Sequence, residues 1–212
     1  MTALKNIEIA QHQGKQKFLL YGVTGSGKTQ IYIEMALKAR ALGKQILILV
    51  PEIVLTGQLV TSFKEYFADD VAVIHSRLSI GERNDTFWRI RTKQVSIIIG
   101  ARSALFAPFE DLGLIVMDEE HDPSYKQDES PRYHSHDIIE KMAEIYHATL
   151  IMGSATPSLE SYYKAQIGEY VLLKMPNRID NLPLPYIEGV DMRDAVFTVY
   201  YKDGICGEQS AP

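Results

Sequence analysis

The chain carries Gly22-Val23-Thr24-Gly25-Ser26-Gly27-Lys28-Thr29, which fits the pattern G-x-x-x-x-G-K-[ST]. The stretch lies between an apolar run at residues 18–21 and a segment of helical period at residues 28–42, the context that this pattern requires. Glycines there let backbone N–H groups turn inward around phosphate oxygens, and the helix N-terminus adds partial positive charge. The sequence therefore predicts a nucleotide-phosphate loop. Its expected members are Gly22, Thr24, Gly25, Ser26, Gly27, Lys28 on the β and γ phosphates, and Thr29 on Mg²⁺.

Short apolar runs alternate with helical segments along most of the chain, which is typical of βαβ units. Strands are expected at residues 18–21, 45–50, 71–75, 95–99, 112–117, 149–152 and 170–174. Helices are expected at residues 28–42, from beyond 51 to about 67, at 79–91, at 137–147 and from an N-cap at 158 through 163. The predicted fold class is α/β, a P-loop NTPase lobe whose mostly parallel sheet has helices on both faces.

Residues 1–175 are expected to form this lobe, and residues 176–212 a linker and irregular tail. Pro176, Pro183 and Pro185 lie within ten positions, and no usable periodicity follows them.

Composition excludes several classes of protein. With 212 residues, 46% hydrophobic and 23% charged, the chain has enough apolar material for a core. Cys206 is the only cysteine, so internal disulfides and a cysteine-ligated zinc cluster are excluded. No apolar run approaches the roughly 18 to 20 residues that span a bilayer, so we expect no membrane partner and a cytoplasmic location. The net charge of −5 restricts any nucleic-acid contact to a local groove.

An acidic cluster, Asp118-Glu119-Glu120-His121, directly follows the apolar run at 112–117. A nucleotide phosphate carrying Mg²⁺ needs a carboxylate at the end of a neighbouring strand, and hydrolysis needs a second one to orient water. Because adjacent residues on a strand point to opposite sides, Asp118 is assigned to the metal and Glu119 to the attacking water. The alternative is a solvated acidic loop. A guanine-selecting pattern at residues 177–180 departs from N-K-x-D at Arg178, which disfavours a GTPase.

Six segments together resemble the first motor lobe of the PriA family, the primosomal replication-restart helicases of the DEAH-like superfamily 2 type. They are GVTGSGKT (22–29), LVPEIVLTGQLV (49–60), VIHSRLSIGER (73–83), IIIGARSALFAPF (97–109), LIVMDEEHDPSYKQDESPRYHSHD (114–137) and GSATPSLES (153–161). The resemblance spans about residues 2–193. It implies a RecA-like lobe of an ATP-hydrolysing 3′-to-5′ DNA helicase acting in fork restart and primosome assembly. It also implies ATP and Mg²⁺ as cofactors, single-stranded or forked DNA and replication-restart proteins as partners, and no zinc in this part of the family.

The resemblance also implies residue roles. Lys28, Glu119 and His121 are expected at the catalytic centre. Contacts to single-stranded DNA are expected at Pro51, Glu52, Arg102, Ser103, Tyr125, Lys126, Arg132 and Tyr133, the last four in an aromatic-rich loop. The turn Ser154-Ala155-Thr156 is expected to couple that loop to the γ phosphate through His121.

Without the resemblance, turn chemistry and a helix cap would explain residues 51–58 and 100–103, and a polar surface loop would explain residues 122–135. Trp88, Tyr162 and Tyr163 are expected to pack, and His75, His136 and His147 to be structural.

The resemblance further implies that a second lobe, with its arginine finger, lies outside this sequence, since Arg178 and Arg193 match no finger motif. The family's adenine-reading glutamine falls upstream of Thr2, and residues 202–212 depart from the family. Weak ATP binding and slow hydrolysis are therefore expected of this chain alone. Two alternatives stay open: a lobe of another superfamily 2 translocase, and a nucleic-acid-binding module with an inactive ATP site.

Overall fold

A computed structural model describes residues 2–52, 57–179, 196–201 and 204–210. The chain divides into two compact units, Met1–Asn181 and Leu182–Pro212. Part of the segment 51–58, and the positions Pro183, Pro185 and Arg193, lie outside the described residues.

The first unit is built on a seven-stranded parallel sheet with the order β3-β4-β2-β5-β8-β1-β9. Its strands are β1 (Lys17–Gly22), β2 (Gln45–Leu49), β3 (Val71–Ile74), β4 (Ile97–Gly100), β5 (Leu112–Asp118), β8 (Thr149–Ser154) and β9 (Val171–Met175). A separate antiparallel pair joins β6 (Lys126–Gln127) to β7 (Tyr133–His134). The inner strands are continuous apolar runs because both of their faces are buried.

Helices cover both faces of this sheet, as the sequence predicts. They are α1 (Thr2–His12), α2 (Lys28–Ala41), α3 (Gln58–Phe67), α4 (Ile80–Arg91), α5 (Ser135–Tyr146) and α6 (Leu159–Gln166). Alternate residues of the strands enter two separate core clusters. One includes Ile7 of α1, Ile31 of α2 and Phe63 of α3, and the other includes Ile90 of α4 and Ile139 of α5. The predicted α/β class is therefore confirmed.

Strand order brings two loops together at one rim of the sheet. Both β1 and β5 pair with β8, and all three strands run in the same direction. Tyr21 pairs with Ser154, and Asp118 pairs with Gly153, so β1 and β5 end at the same level. The glycine-rich loop after β1 and the acidic cluster after β5 consequently lie close together.

Side chains cap two of the helix starts, and the sequence predicts the second of these caps, at Ser158. The Ser79 side chain accepts a hydrogen bond from the Glu82 amide, and the Glu82 carboxylate accepts one from the Ser79 amide, which is a capping box for α4. The Ser158 hydroxyl accepts from the Ser161 amide at 3.2 Å and caps α6. These local bonds explain why the two starts were readable from sequence.

Several features differ from the sequence reading. Helix α1 was not predicted, although Ile7 and Ala10 recur at helical spacing and are buried. In the second unit, β10 (Val196–Tyr201) pairs antiparallel with β11 (Gly204–Ser210), in the part read as linker and irregular tail. The run VFTVYY is rich in β-branched and aromatic residues, which is typical of a strand. The boundary at residue 175 stays a prediction. Within the described ranges, no helix has the length and apolarity to cross a membrane.

Candidate functional site

The glycine-rich loop has a backbone that only glycine readily adopts at two positions. Gly25 and Gly27 have φ values of 79° and 89°, in the left-handed region. A Cβ atom on Gly22 would lie 2.5 Å from Ser26 Oγ and 3.4 Å from Lys28 Cγ. The loop is therefore folded tightly on itself ahead of α2, with its amides at the helix N-terminus.

Two buried polar groups in this loop suit a phosphate ligand. Ser26 is buried, and its Oγ has no hydrogen-bond partner among the described residues. An unpaired buried hydroxyl is unfavourable, and a phosphate oxygen would satisfy it. Lys28 is only 9% exposed, and its Nζ donates to the Gly22 carbonyl at 2.9 Å. The site residues present thus fit an anionic group, with Thr29 half-buried on the first turn of α2.

Asp118 ends β5 and is held by two tyrosine hydroxyls. Tyr32 donates to Asp118 Oδ1 at 2.8 Å, and Tyr125 donates to the Asp118 backbone carbonyl at 2.7 Å. Burial raises the pKa of Asp118, and the hydrogen bond from Tyr32 opposes that rise. A desolvated carboxylate gains strongly from a nearby cation, so this position suits a metal.

Glu119 lies just beyond the end of β5, close to Lys28. It has a φ of 46°, so it turns away from β5 in the left-handed conformation and the alternation argument from the sequence does not describe it. Glu119 Oε1 lies 3.9 Å from Lys28 Nζ, and Glu119 Oε2 lies 3.7 Å from His121 Nδ1. The structure therefore places Lys28, Asp118 and Glu119 at the same rim, as the sequence predicts.

His121 links the acidic cluster to the turn after β8. Its Nδ1 lies 2.8 Å from Ser154 Oγ, and its Nε2 lies 3.4 Å from Thr156 Oγ1. The Thr156 amide donates to Ser154 Oγ at 2.9 Å, which leaves Ala155 at the apex of the turn. The expected contact between His121 and this turn is present, and its response to a γ phosphate stays a proposal.

Glu120 is a site residue whose role the sequence reading missed. It is 1% exposed, and its carboxylate accepts hydrogen bonds from the Ser158 amide (2.7 Å), the Ser158 hydroxyl (2.9 Å) and the Ser161 hydroxyl (2.8 Å). His136 Nε2 lies 2.9 Å from the same carboxylate. Burial raises the pKa of Glu120, but the bonds from His136, Ser158 and Ser161 outweigh it and hold the pKa below its usual value. Glu120 thus ties three segments together, and no local pattern signals it.

A groove of about 400 Å³ brings together several of the predicted DNA contacts. It is lined by Glu52, Arg102, Ser103 and Tyr133, and also by Arg83 and Phe106, which the sequence reading did not assign. The Phe106 and Tyr133 rings pack edge to face at 5.5 Å, and Phe106 is 58% exposed.

The remaining predicted DNA contacts lie elsewhere. Lys126 and Arg132 are exposed outside the groove lining, and the Arg102 guanidinium donates to the Lys126 carbonyl. Pro51 is buried. The structure contradicts the predicted base contact of Tyr125, because its ring is 1% exposed and its hydroxyl donates to the Asp118 backbone carbonyl. A buried ring offers no face to a nucleic-acid base.

Residues 175–179 run beside the glycine-rich loop. The Val23 amide donates to the Met175 carbonyl at 3.2 Å, and the Ile179 amide donates to the Gly25 carbonyl at 3.0 Å. The Arg178 side chain crosses Gly25, where a Cβ atom would lie 3.7 Å from Arg178 Cγ. The sequence reading had placed Arg178 in a linker, so its position against the loop is a finding.

Among the described residues, no three His, Cys, Asp or Glu side chains converge as a ready metal cage. Mg²⁺ usually takes only a few ligands from the protein, such as one carboxylate and one hydroxyl, when phosphates and water supply the others.

The sequence matches the DEAD/DEAH box helicase family over residues 2–165. The chain therefore belongs to the DEAD/DEAH box helicase family. Its relatives include the replication restart protein PriA of Bacillus subtilis, 52% identical over 177 residues, and PriA of Chlamydia pneumoniae, 50% identical over 161 residues. These alignments cover 84% and 76% of this chain but 22% of each relative. The resemblance to the first helicase lobe of PriA is confirmed, and the chain spans about a fifth of those proteins' length.

Solved structures give the same fold. RecG bound to a three-way DNA junction aligns with a TM-score of 0.57 and 22% identity, over 83% of this chain and 23% of RecG. The helicase MrfA bound to DNA and AMPPNP aligns with a TM-score of 0.58 and 19% identity, over 84% of this chain and 27% of MrfA. At these identities the likeness shows the fold alone.

Proposed function

We propose that this chain is the ATP-binding motor lobe of an ATP-dependent 3′-to-5′ DNA helicase that acts in replication-fork restart. One observation carries the proposal: Lys28 Nζ lies 3.9 Å from Glu119 Oε1, beside Asp118 and the turn around Ser154, at one rim of the sheet. The relatives named PriA support the restart pathway, and the family supports nucleotide binding.

Different residues of this chain would hold the phosphates and the metal ion of Mg-ATP. Loop amides from Gly25 to Thr29 and the Lys28 ammonium would hold the phosphates, and Lys28 would exchange its bond to the Gly22 carbonyl for one to phosphate. The Thr29 hydroxyl and Asp118 would hold Mg²⁺, which supplies charge neutralisation on the phosphate oxygens when bound.

Glu119 is positioned to act on water. Its side chain is 34% exposed, whereas that of the neighbouring Glu120 is fully buried, so water can reach Glu119. As general base it would orient the attacking water and accept its proton. His121, bonded to Ser154, lies 3.7 Å from Glu119 and would hold that carboxylate in place.

DNA is proposed to occupy the groove between Arg83, Arg102 and the Phe106–Tyr133 pair. Guanidinium groups suit phosphates, and exposed aromatic rings suit unstacked bases. Although the chain carries a net charge of −5, this groove gathers two arginines within one surface. MrfA and RecG, which share the fold, were solved bound to DNA.

Two side-chain contacts, together with chain neighbours at each end, lie between this groove and the ATP site. Tyr133 in the groove immediately precedes His134, whose Nδ1 lies 3.0 Å from His136 Nδ1. His136 bonds to Glu120, which neighbours Glu119 in the chain. We propose that DNA seated on Tyr133 shifts these contacts and so adjusts Glu119.

The nucleotide part of the proposal is tested with Lys28→Ala. Calorimetric titration of the wild-type chain with Mg-ADP should give heat, and the variant should bind about 10- to 150-fold more weakly because a charged hydrogen bond is lost. Lys64→Ala, an exposed lysine of α3, is the matched control and should bind like wild type. No heat from the wild-type chain would instead favour a module with an inactive ATP site.

The DNA part is tested with Arg102→Ala. Binding of a fluorescent single-stranded oligothymidylate should weaken, and the slope of log K against log salt should shrink by about 0.7, the contribution of one phosphate contact. Arg91→Ala, whose side chain is 68% exposed away from the groove lining, is the control. An unchanged slope in Arg102→Ala would remove Arg102 from the interface.

A further inference from the structure

Tyr32 is a buried tyrosine whose hydroxyl reaches the end of β5. It lies four positions after Lys28 on α2, so both side chains project from the same face of that helix. Tyr32 is fully buried, and its hydroxyl donates to Asp118 Oδ1 at 2.8 Å. Nothing in the phosphate-loop pattern requires a hydroxyl at this position, because the role of the pattern ends at Thr29.

Gly153 makes room for this hydroxyl. It pairs with Asp118 across the sheet, and a Cβ atom on Gly153 would lie 1.7 Å from the Tyr32 hydroxyl oxygen and 2.9 Å from its ring carbon Cζ. The same Cβ atom would lie 3.4 Å from Asp118 Oδ1. The bond between Tyr32 and Asp118 therefore depends on a glycine at this point of β8.

The bond restricts how Asp118 can present its carboxylate. A carboxylate turns about its last side-chain bond, and a fixed donor at Oδ1 sets that angle. Mg²⁺ demands near-ideal octahedral geometry, so its affinity depends on the direction from which an oxygen approaches. Removing a group that orients a metal ligand typically weakens the affinity for the metal by about 10- to 100-fold.

We propose that Tyr32 is a positioning residue for the metal site: it holds Asp118 by Oδ1 and leaves Oδ2 as the oxygen that faces Mg²⁺. The inference rests on the proposed function and adds to it a residue outside the recognised motifs.

The test is a Mg²⁺ titration of the Tyr32→Phe chain in the presence of fluorescent N-methylanthraniloyl-ADP. The Mg²⁺ concentration at half-maximal binding should rise by about 10- to 100-fold. The affinity for the same nucleotide in excess EDTA should equal that of wild type, because Tyr32 acts only through Asp118. Tyr66→Phe, which removes an exposed hydroxyl from α3, should change neither value.

A second variant probes the same bond from the other side. Gly153→Ala forces the Tyr32 hydroxyl away from Asp118 and should raise the Mg²⁺ midpoint as Tyr32→Phe does. Thermal unfolding of each variant without nucleotide confirms that it is folded, and either folded variant suffices for the test. In the Tyr32→Phe background, adding Gly153→Ala should raise the Mg²⁺ midpoint less than it does in wild type, because the two changes break one bond.

The possible outcomes distinguish failure of the role of Tyr32 from failure of the proposed function. The role of Tyr32 alone would be overturned if the wild-type chain binds nucleotide in a Mg²⁺-dependent way and a folded Tyr32→Phe chain has the same Mg²⁺ concentration at half-maximal binding. An equal loss of affinity with and without Mg²⁺ would also overturn it, since that pattern indicates a general disturbance of the loop. A wild-type chain with no Mg²⁺-dependent nucleotide binding would overturn the proposed function and this inference together.

Discussion

Glu119→Gln is expected to retain Mg-ATP binding while lowering ATP hydrolysis by about 10²- to 10⁴-fold, the usual contribution of a general base. The amide keeps the size of the side chain but cannot accept the proton of the attacking water. Binding depends on the phosphate loop and Asp118, which the substitution does not touch. The measurement is single-turnover hydrolysis with protein in excess, paired with calorimetric titration of the same preparation.

Glu65→Gln is the matched control, because Glu65 is exposed on α3 and the same change there should alter neither quantity. Loss of binding in parallel with hydrolysis would contradict the assignment of Glu119 as base. It would indicate that Glu119 instead helps to form the loop, by way of its contact with Lys28.

Glu120→Ala is expected to lower the free energy of unfolding by about 3–5 kcal/mol, the range found when one partner of a buried charged network is removed. The substitution leaves His136, Ser158 and Ser161 without their shared acceptor in a buried position. Urea unfolding of the first unit measures the effect. Glu65→Ala should stay within about 0.5 kcal/mol of wild type, and a similarly small change in Glu120→Ala would contradict the network.

The same network predicts a pH dependence. The pKa of folded Glu120 lies below its ordinary value of 4.5, so the unfolded chain takes up the proton first as pH falls. The stabilisation is therefore complete at neutral pH and is lost as pH falls through the folded-state pKa. The difference in unfolding free energy between wild type and Glu120→Gln should narrow over that range. A difference that stays constant from neutral to acid pH would show that the charge of Glu120 is not involved.

The sheet was predictable from sequence because its strands are buried on both faces and therefore appear as continuous apolar runs. The strand that ends at Asp118 was predictable in this way, and the loop that contains Lys28 was predictable from its glycine-rich pattern. Since parallel strands end at one rim, the meeting of these two residues followed from the pattern. Helix α1 was missed because its few buried positions lie among polar residues.

The parts of the site that escaped prediction depend on contacts between distant segments. Glu120 accepts hydrogen bonds from Ser158 and Ser161, which lie 38 and 41 positions away in the sequence. No local pattern in either segment predicts this contact. Tyr125 has aromatic and cationic neighbours that suggested a nucleic-acid surface, yet packing places its ring inside the protein. Whether an individual side chain is buried depends on the tertiary structure, and the local amino-acid composition does not determine that structure.

The most direct measurement is a crystal structure of this chain with Mg²⁺ and AMPPNP. We expect the β phosphate to lie against the amides of residues 25–29 and the Lys28 ammonium. We expect the metal to lie between the Thr29 hydroxyl and Asp118, on the side of Oδ2, with Tyr32 still bonded to Oδ1. Phosphates bound away from this loop, or a metal on a different side of the sheet from Asp118, would contradict this placement.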